Sequence, residues 1–168
     1  MPYRKRRSFE MGHARKFLLI VDESQEVEAA LYYAASRIFR SSGSLLMLYV
    51  IEPQQFQHWA GVRQVQVDEE TNKARALFRL FKRKLNLAGF GNIPSEEVVR
   101  EGLMSEEIMK MIEEDEDVSI LVLGASTDPK GPGPLISTFA VGTAAGAFPI
   151  PVTIVPGNLA FEDIIALA

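Results

Sequence analysis

Five short strand-forming segments alternate with helix-forming segments between residues 16 and 155, and this alternation constrains the fold more than any other feature. Phe17–Val21 is an unbroken apolar run, the pattern of a parallel strand covered on both faces. Val27, Ala30, Leu31, Ala34, Ala35, Ile38 and Phe39 then recur at helical spacing, which predicts a helix with Ser24 as its N-cap and Gly43 beyond its end. Ser44–Ile51 reads as a second strand stopped by Glu52-Pro53. A connection over 54–64, holding His58 and Trp59, leads to a helix expected over Asp68–Ala88. Its buried stripe is Ala74, Leu77, Phe78, Phe81 and Leu85, with acids at the start and bases near the end, as the helix dipole favours.

Further along, Glu96–Arg100 has charged flanks and suits a strand near an edge. Ser105 is placed to cap a short helix carrying Ile108, Met109 and Ile112, followed by an acidic run, Glu113–Asp117, read as a solvated helix end. The methionines of 104–111 read as core. Val118–Leu123 is the fourth strand, Leu135–Ala147 a small-residue helix and Val152–Val155 the fifth strand. Phe161–Leu167 is a short helix or tail. A βαβαβαβαβ order implies right-handed crossovers and an open, five-stranded, mostly parallel sheet with helices on both faces, a Rossmann-like α/β fold.

Charge is spread unevenly. Residues 1–16 hold Arg4, Lys5, Arg6, Arg7, Arg15 and Lys16 against one acid, Glu10. With 18 basic and 22 acidic residues in all, the remainder carries 12 basic and 21 acidic groups. An acidic body argues against nucleic acid as the main partner. Residues 1–15 are expected to form a flexible basic arm, 16–157 the α/β domain and 158–168 the tail. The chain has no cysteine, which fits a reducing cytoplasm and excludes disulfides and thiolate chemistry. The arm lacks the apolar core of a secretory signal. Residues 131–161 carry no charge, but prolines interrupt them and Leu135–Phe148 is too short to span a bilayer.

In an open α/β sheet, ligands bind at strand C-termini where the strand order reverses. Asp22 ends the first strand there, and its carboxylate can accept hydrogen bonds from a ribose or an adenine amine, or can serve the next helix locally together with Ser24. Gly131-Pro-Gly133-Pro134 runs into the fourth helix segment, where free amides and the hydroxyls of Ser137 and Thr138 could meet a phosphate, with Lys130 adding charge. The residues alone slightly favour reading the same loop as a rigid connector that only turns the chain. It is neither a Walker loop nor a Gly-x-Gly-x-x-Gly turn. Two histidines without cysteine give no metal-ligand spacing, and no nucleophile elbow or Ser/His/Asp set is present.

These segments resemble the universal stress protein superfamily across residues 16–157: Val21-Asp22 before the first helix, Leu48-Tyr49-Val50-Ile-Glu-Pro in the second strand, Gly124 after the fourth, and Phe148-Pro-Ile-Pro151-Val-Thr-Ile-Val-Pro156. The resemblance implies a stress-response or signalling module that binds ATP or AMP, with magnesium only alongside ATP, and that acts as a homodimer through the last strand at Val152 and Ile154. It implies that Asp22 contacts adenosine and that the backbone near Val50 reads adenine. The family's phosphate motif is Gly-x2-Gly-x9-Gly-Ser/Thr. Here it begins at Gly124, but Thr127 stands at the second glycine and Ser137-Thr138 at the closing pair, so two of its three glycines are replaced. Gly131 and Gly133 lie inside the spacer, where they can form an anion nest of another shape. The expected site is therefore Asp22, Val50, Gly124, Thr127, Gly131, Gly133, Ser137 and Thr138. The alternative is a family branch that binds no ATP and serves as a protein-interaction scaffold. Catalysis is not expected beyond a slow, incidental ATPase.

Overall fold

The computed structural model describes residues 5–53 and 60–168. His58 and Trp59 lie outside the described residues. The strands are β1 (Lys16–Ile20), β2 (Ser44–Ile51), β3 (Ser95–Glu101), β4 (Val118–Ala125) and β5 (Val152–Pro156). They form one sheet in the order β3-β2-β1-β4-β5, and every pairing is parallel. β1 pairs with β2 on one side and β4 on the other, so the order reverses beside it. β3 is an edge strand, as its charged flanks predict.

Helix α1 (Glu26–Arg40) and helix α2 (Ala60–Leu87) cover one face of the sheet together with the C-terminal helix, and α3 (Met104–Glu114) covers the other. Alternate residues of each strand serve the two cores: Phe17 and Leu19 face α1 and α2, whereas Leu18 and Ile20 face Ile108 and Ile112 of α3. All six of these side chains are buried. Burial on both faces is what the unbroken apolar run of β1 requires.

Several expectations from sequence need correction. α2 begins at Ala60, so Asp68–Glu70 fall in its interior instead of at its positive end. Within that interior, Glu70 accepts a 2.5 Å hydrogen bond from the Tyr49 hydroxyl of β2, a tertiary contact that has nothing to do with capping. Ser24 does not cap α1, and Ser105 does not cap α3; the residues at those ends are Gln25 and Leu103, and neither makes a side-chain cap. Phe39 is 66% exposed at the end of the α1 stripe, although its ring meets Phe90 edge-on at 5.6 Å.

The predicted helix over Leu135–Ala147 is not one regular helix. A single α-helical turn, α4 (Pro134–Ile136), loosens into a π turn at Ser137–Val141, and after Gly142 a 3₁₀ segment follows at Thr143–Ala147. The Ser137 and Thr138 hydroxyls donate to the carbonyls of Gly133 and Pro134, four residues back, at 3.1 and 2.8 Å. Hydroxyls bonded back in this way weaken helical regularity. Gly142 then takes an extended conformation (φ −77°, ψ −177°) that ends the turn. Helix α5 (Phe161–Leu167) closes the chain, and Phe161 meets Tyr32 of α1 edge-on at 4.9 Å.

The basic stretch from Lys5 to Lys16 lies against the acidic turn between α3 and β4. Arg6 donates through Nη1 to the carbonyls of Ile112, Asp115 and Val118 at 2.6, 3.0 and 3.3 Å. His13 meets Asp117 at 2.8 Å, and Lys16 meets Asp115 at 2.8 Å. The acids at the end of α3 oppose its dipole, and no base occupies its last turn. Cations from the distant N-terminal stretch supply what that helix end lacks. No helix among the described residues is long and apolar enough to cross a membrane.

Candidate functional site

The C-terminal ends of β1 and β4 diverge around a cavity of about 300 Å³. Asp22 stands on its rim directly after β1, and its Oδ1 accepts the Ser24 backbone N–H at 2.8 Å and the Ser24 hydroxyl. The local reading of Asp22 thus holds in modified form: it closes an Asx turn that leads the chain into α1, while its carboxylate still borders the cavity. The first turn of α1 contributes Glu26, Val27 and Ala30; β4 contributes Leu123 and Gly124. Pro132, Gly133, Pro134 and Ile136 close the far side.

Gly124 has a second, structural task. A Cβ built on it would stand 2.1 Å from the carbonyl oxygen of Glu26. The absence of a side chain is therefore what lets α1 start directly over the end of β4, which sets the width of the crevice.

Among the expected site residues, the cavity brings together Asp22, Gly124, Gly133 and Thr138. Val50, Thr127, Gly131 and Ser137 are not among its lining residues. Val50 is buried in the core beneath α3, and Thr127 is exposed on the loop. The other lining residues were not in the expected site, Glu26, Glu52, Leu103, Met104 and Ser105 among them. Glu52 follows β2 and Leu103–Ser105 follow β3, so position after a strand was the available signal. Met104 borders the cavity, whereas Met111 is buried in the core.

The Gly/Pro loop turns its donors inward. Ser126 N–H donates to the Pro132 carbonyl (3.0 Å), Asp128 N–H to Ser126 Oγ (3.1 Å), Lys130 N–H to Asp128 Oδ1 (2.9 Å) and Gly131 N–H to the Asp128 carbonyl (3.0 Å). Gly131 and Gly133 have φ of 132° and 113°, values that a side chain would strain. Pro129, Pro132 and Pro134 have no amide hydrogen to offer. Thr127 and Gly133 are the loop amides left outside this closed set. Among the described residues no group of three His, Asp or Glu side chains is arranged to hold a metal ion.

The model of the universal stress protein family matches residues 13–156. The chain belongs to the universal stress protein family. Solved structures agree on the fold. The protein MJ0577 superposes with a TM-score of 0.69 at 18% identity, over 87% of this chain and 98% of that one. UspA from Lactobacillus plantarum gives 0.61 at 20% identity, over 84% and 97%. A universal stress protein crystallised in complex with cAMP gives 0.51 at 16% identity, over 86% and 98%. Comparison with curated proteins gives no match. In this universal stress protein the cavity is bordered by apolar side chains, by Asp22 and by the N-terminal residues of α1, α3 and α4, while four amides of the Gly/Pro loop bond within the loop itself.

Proposed function

We propose that this universal stress protein is a non-catalytic stress-response or signalling module that binds an adenine nucleotide, ATP or AMP, at the switch point of its sheet. The observation that carries this reading is the cavity of about 300 Å³ beside Asp22, at the place where parallel α/β sheets hold ligands. That volume reaches the lower bound of small-molecule pockets. Val27, Ala30 and Leu123 would flank the base, and the Asp22 carboxylate would accept from ribose hydroxyls. The cAMP complex of a protein with this fold supports the choice of an adenine ligand. A homodimer through edge strand β5 completes the proposal, since Ile154 is 42% exposed there.

The test is mass spectrometry of any small molecule released on denaturing the purified protein, paired with calorimetric titration of ATP and AMP. A stoichiometric adenine nucleotide, or saturable binding that Asp22→Ala abolishes, is the expected result. An empty protein that ignores both ligands at millimolar concentration overturns the reading.

The inward-turned loop favours a second reading: a scaffold that works through protein contacts and leaves the crevice without nucleotide. It predicts no heat of binding with any adenosine derivative.

A further inference from the structure

We infer that the outward face of α2, from Arg75 to Leu87, is a docking surface for an acidic amphipathic helix of a partner protein. The inference is independent of what occupies the crevice, which none of these residues lines.

Three observations carry it. First, Arg75, Arg79 and Arg83 stand four residues apart on α2 and are all exposed. They form one row about 12 Å long on a single side of the helix. No acidic residue stands between Lys73 and Leu87. Second, the lysines of this stretch are paired and the arginines are not. Lys73 meets Glu70 at 3.3 Å and Glu23 at 3.6 Å, Lys82 meets Glu97 at 2.5 Å, and Lys84 meets Glu28 at 2.7 Å. Among the described residues, no ion pair or side-chain hydrogen bond reaches Arg75, Arg79 or Arg83. Like charges four residues apart repel on a helix, so the row opposes the helix that carries it. Third, apolar side chains border the row. Leu80 is 44% and Leu87 77% exposed, whereas the opposite side of the helix buries Ala74, Phe78, Phe81 and Leu85.

Charge complementarity selects the occupant. Carboxylates at helical spacing on a partner would meet the three guanidinium groups, and its apolar face would cover Leu80 and Leu87. Arginine is enriched at protein interfaces, where lysine is depleted. A membrane or a nucleic acid is a broad anionic surface and would also face the acidic body, which carries 12 basic and 21 acidic groups beyond residue 16. A second copy of this face would set arginine against arginine.

Fluorescence anisotropy with three probes tests the inference at low salt. One is a labelled acidic peptide of about three heptads, with Leu at the a and d positions and Glu at e and g. Another is the same composition in scrambled order. The last is a vesicle of phosphatidylcholine and phosphatidylserine in equal parts. The ordered peptide is expected to bind with a Kd on the order of micromolar, and the scrambled one at least about tenfold more weakly. Arg75→Glu/Arg79→Glu/Arg83→Glu should abolish binding, and Leu80→Ser/Leu87→Ser should weaken it about tenfold while leaving the circular dichroism of the parent. Arg79→Gln should melt no lower than the parent, because it relieves two like-charge neighbours. Absent peptide binding, equal binding of the scrambled peptide, or binding that survives the triple variant overturns the inference. Vesicle binding that the triple variant abolishes also overturns it and makes the face a membrane contact. A melting temperature lowered by more than about 3 °C in Arg79→Gln would assign the row to the fold instead.

Discussion

Gly124 and Glu26 meet so closely that a Cβ on the glycine would stand 2.1 Å from the Glu26 carbonyl oxygen. The obstacle is backbone at the start of α1, which cannot swing aside as a side-chain tip can. Gly124→Ala should therefore push α1 off β4 at a cost of about 3 kcal/mol, the upper part of the range for overpacking. Urea unfolding measures it directly. A loss below about 0.5 kcal/mol would show that α1 can retreat freely and that the glycine does not set the crevice.

Asp22 has two tasks that substitution can separate. Its Oδ1 holds the Ser24 amide at 2.8 Å, and its carboxylate borders the cavity. Asp22→Asn keeps an oxygen for Ser24 and should melt within about 2 °C of the parent, whereas Asp22→Ala should lose about 1 kcal/mol. Both should weaken adenosine binding at least tenfold. Full affinity in the Asn variant would mean that the charge of Asp22 plays no part in recognition.

Arg6 binds three carbonyls at the end of α3 and the start of β4. Its truncation would leave partly buried carbonyls without this donor, so Arg6→Ala should destabilise the fold by about 2 kcal/mol. Limited trypsinolysis should also cut more rapidly around Lys5–Arg7. Unchanged denaturation and unchanged cleavage would mean that the basic stretch contributes nothing to the fold in solution.

Alkaline pH should weaken the protein through two groups. Burial raises the Tyr49 phenol, and the hydrogen bond to Glu70 with the charge of that carboxylate raises it further. For Lys16, burial acts to lower the pKa, but the bonds to Asp115 and Glu96 outweigh it and the net direction is up. In both cases the native state holds its proton more tightly than the unfolded chain. The associated stability is complete below the ordinary values near pH 10 and is lost as pH rises through the folded ones. The urea midpoint should be level from pH 7 to 9 and fall above about pH 10, and Tyr49→Phe should flatten that fall. An unchanged slope in the variant would exclude Tyr49 as a source.

Ile154 is exposed on edge strand β5, the face proposed for a homodimer. Ile154→Glu should convert a dimer to a monomer in light scattering without altering the far-ultraviolet circular dichroism. A dimer that persists would place the interface elsewhere.

The strands were legible because a parallel sheet leaves an unmistakable pattern: β2 was predicted with the same limits that it has, and the buried stripe of α2 includes Ala74, Phe78, Phe81 and Leu85 as read from spacing. Helix beginnings were less legible. Ser24 looks like a cap in one dimension, but its amide and hydroxyl turn to Asp22 two residues away. The break at 137–142 was hidden as well, since small apolar residues suit a helix and only the back-bonded hydroxyls and Gly142 decide otherwise.

Of the site, the sequence alone determined Asp22, the strand-end position of Gly124 and the Gly/Pro character of the closing loop, because these follow from chain order and residue chemistry. Tertiary structure alone decided which carboxylates share the crevice. Glu26, Glu52 and Ser105 follow three different strands and come together only when a parallel sheet aligns the C-terminal ends of those strands along one edge. It also decided where the loop's donors point, because each amide chooses between ligand and loop by the fold of its own turn, and here four of them bond within the loop.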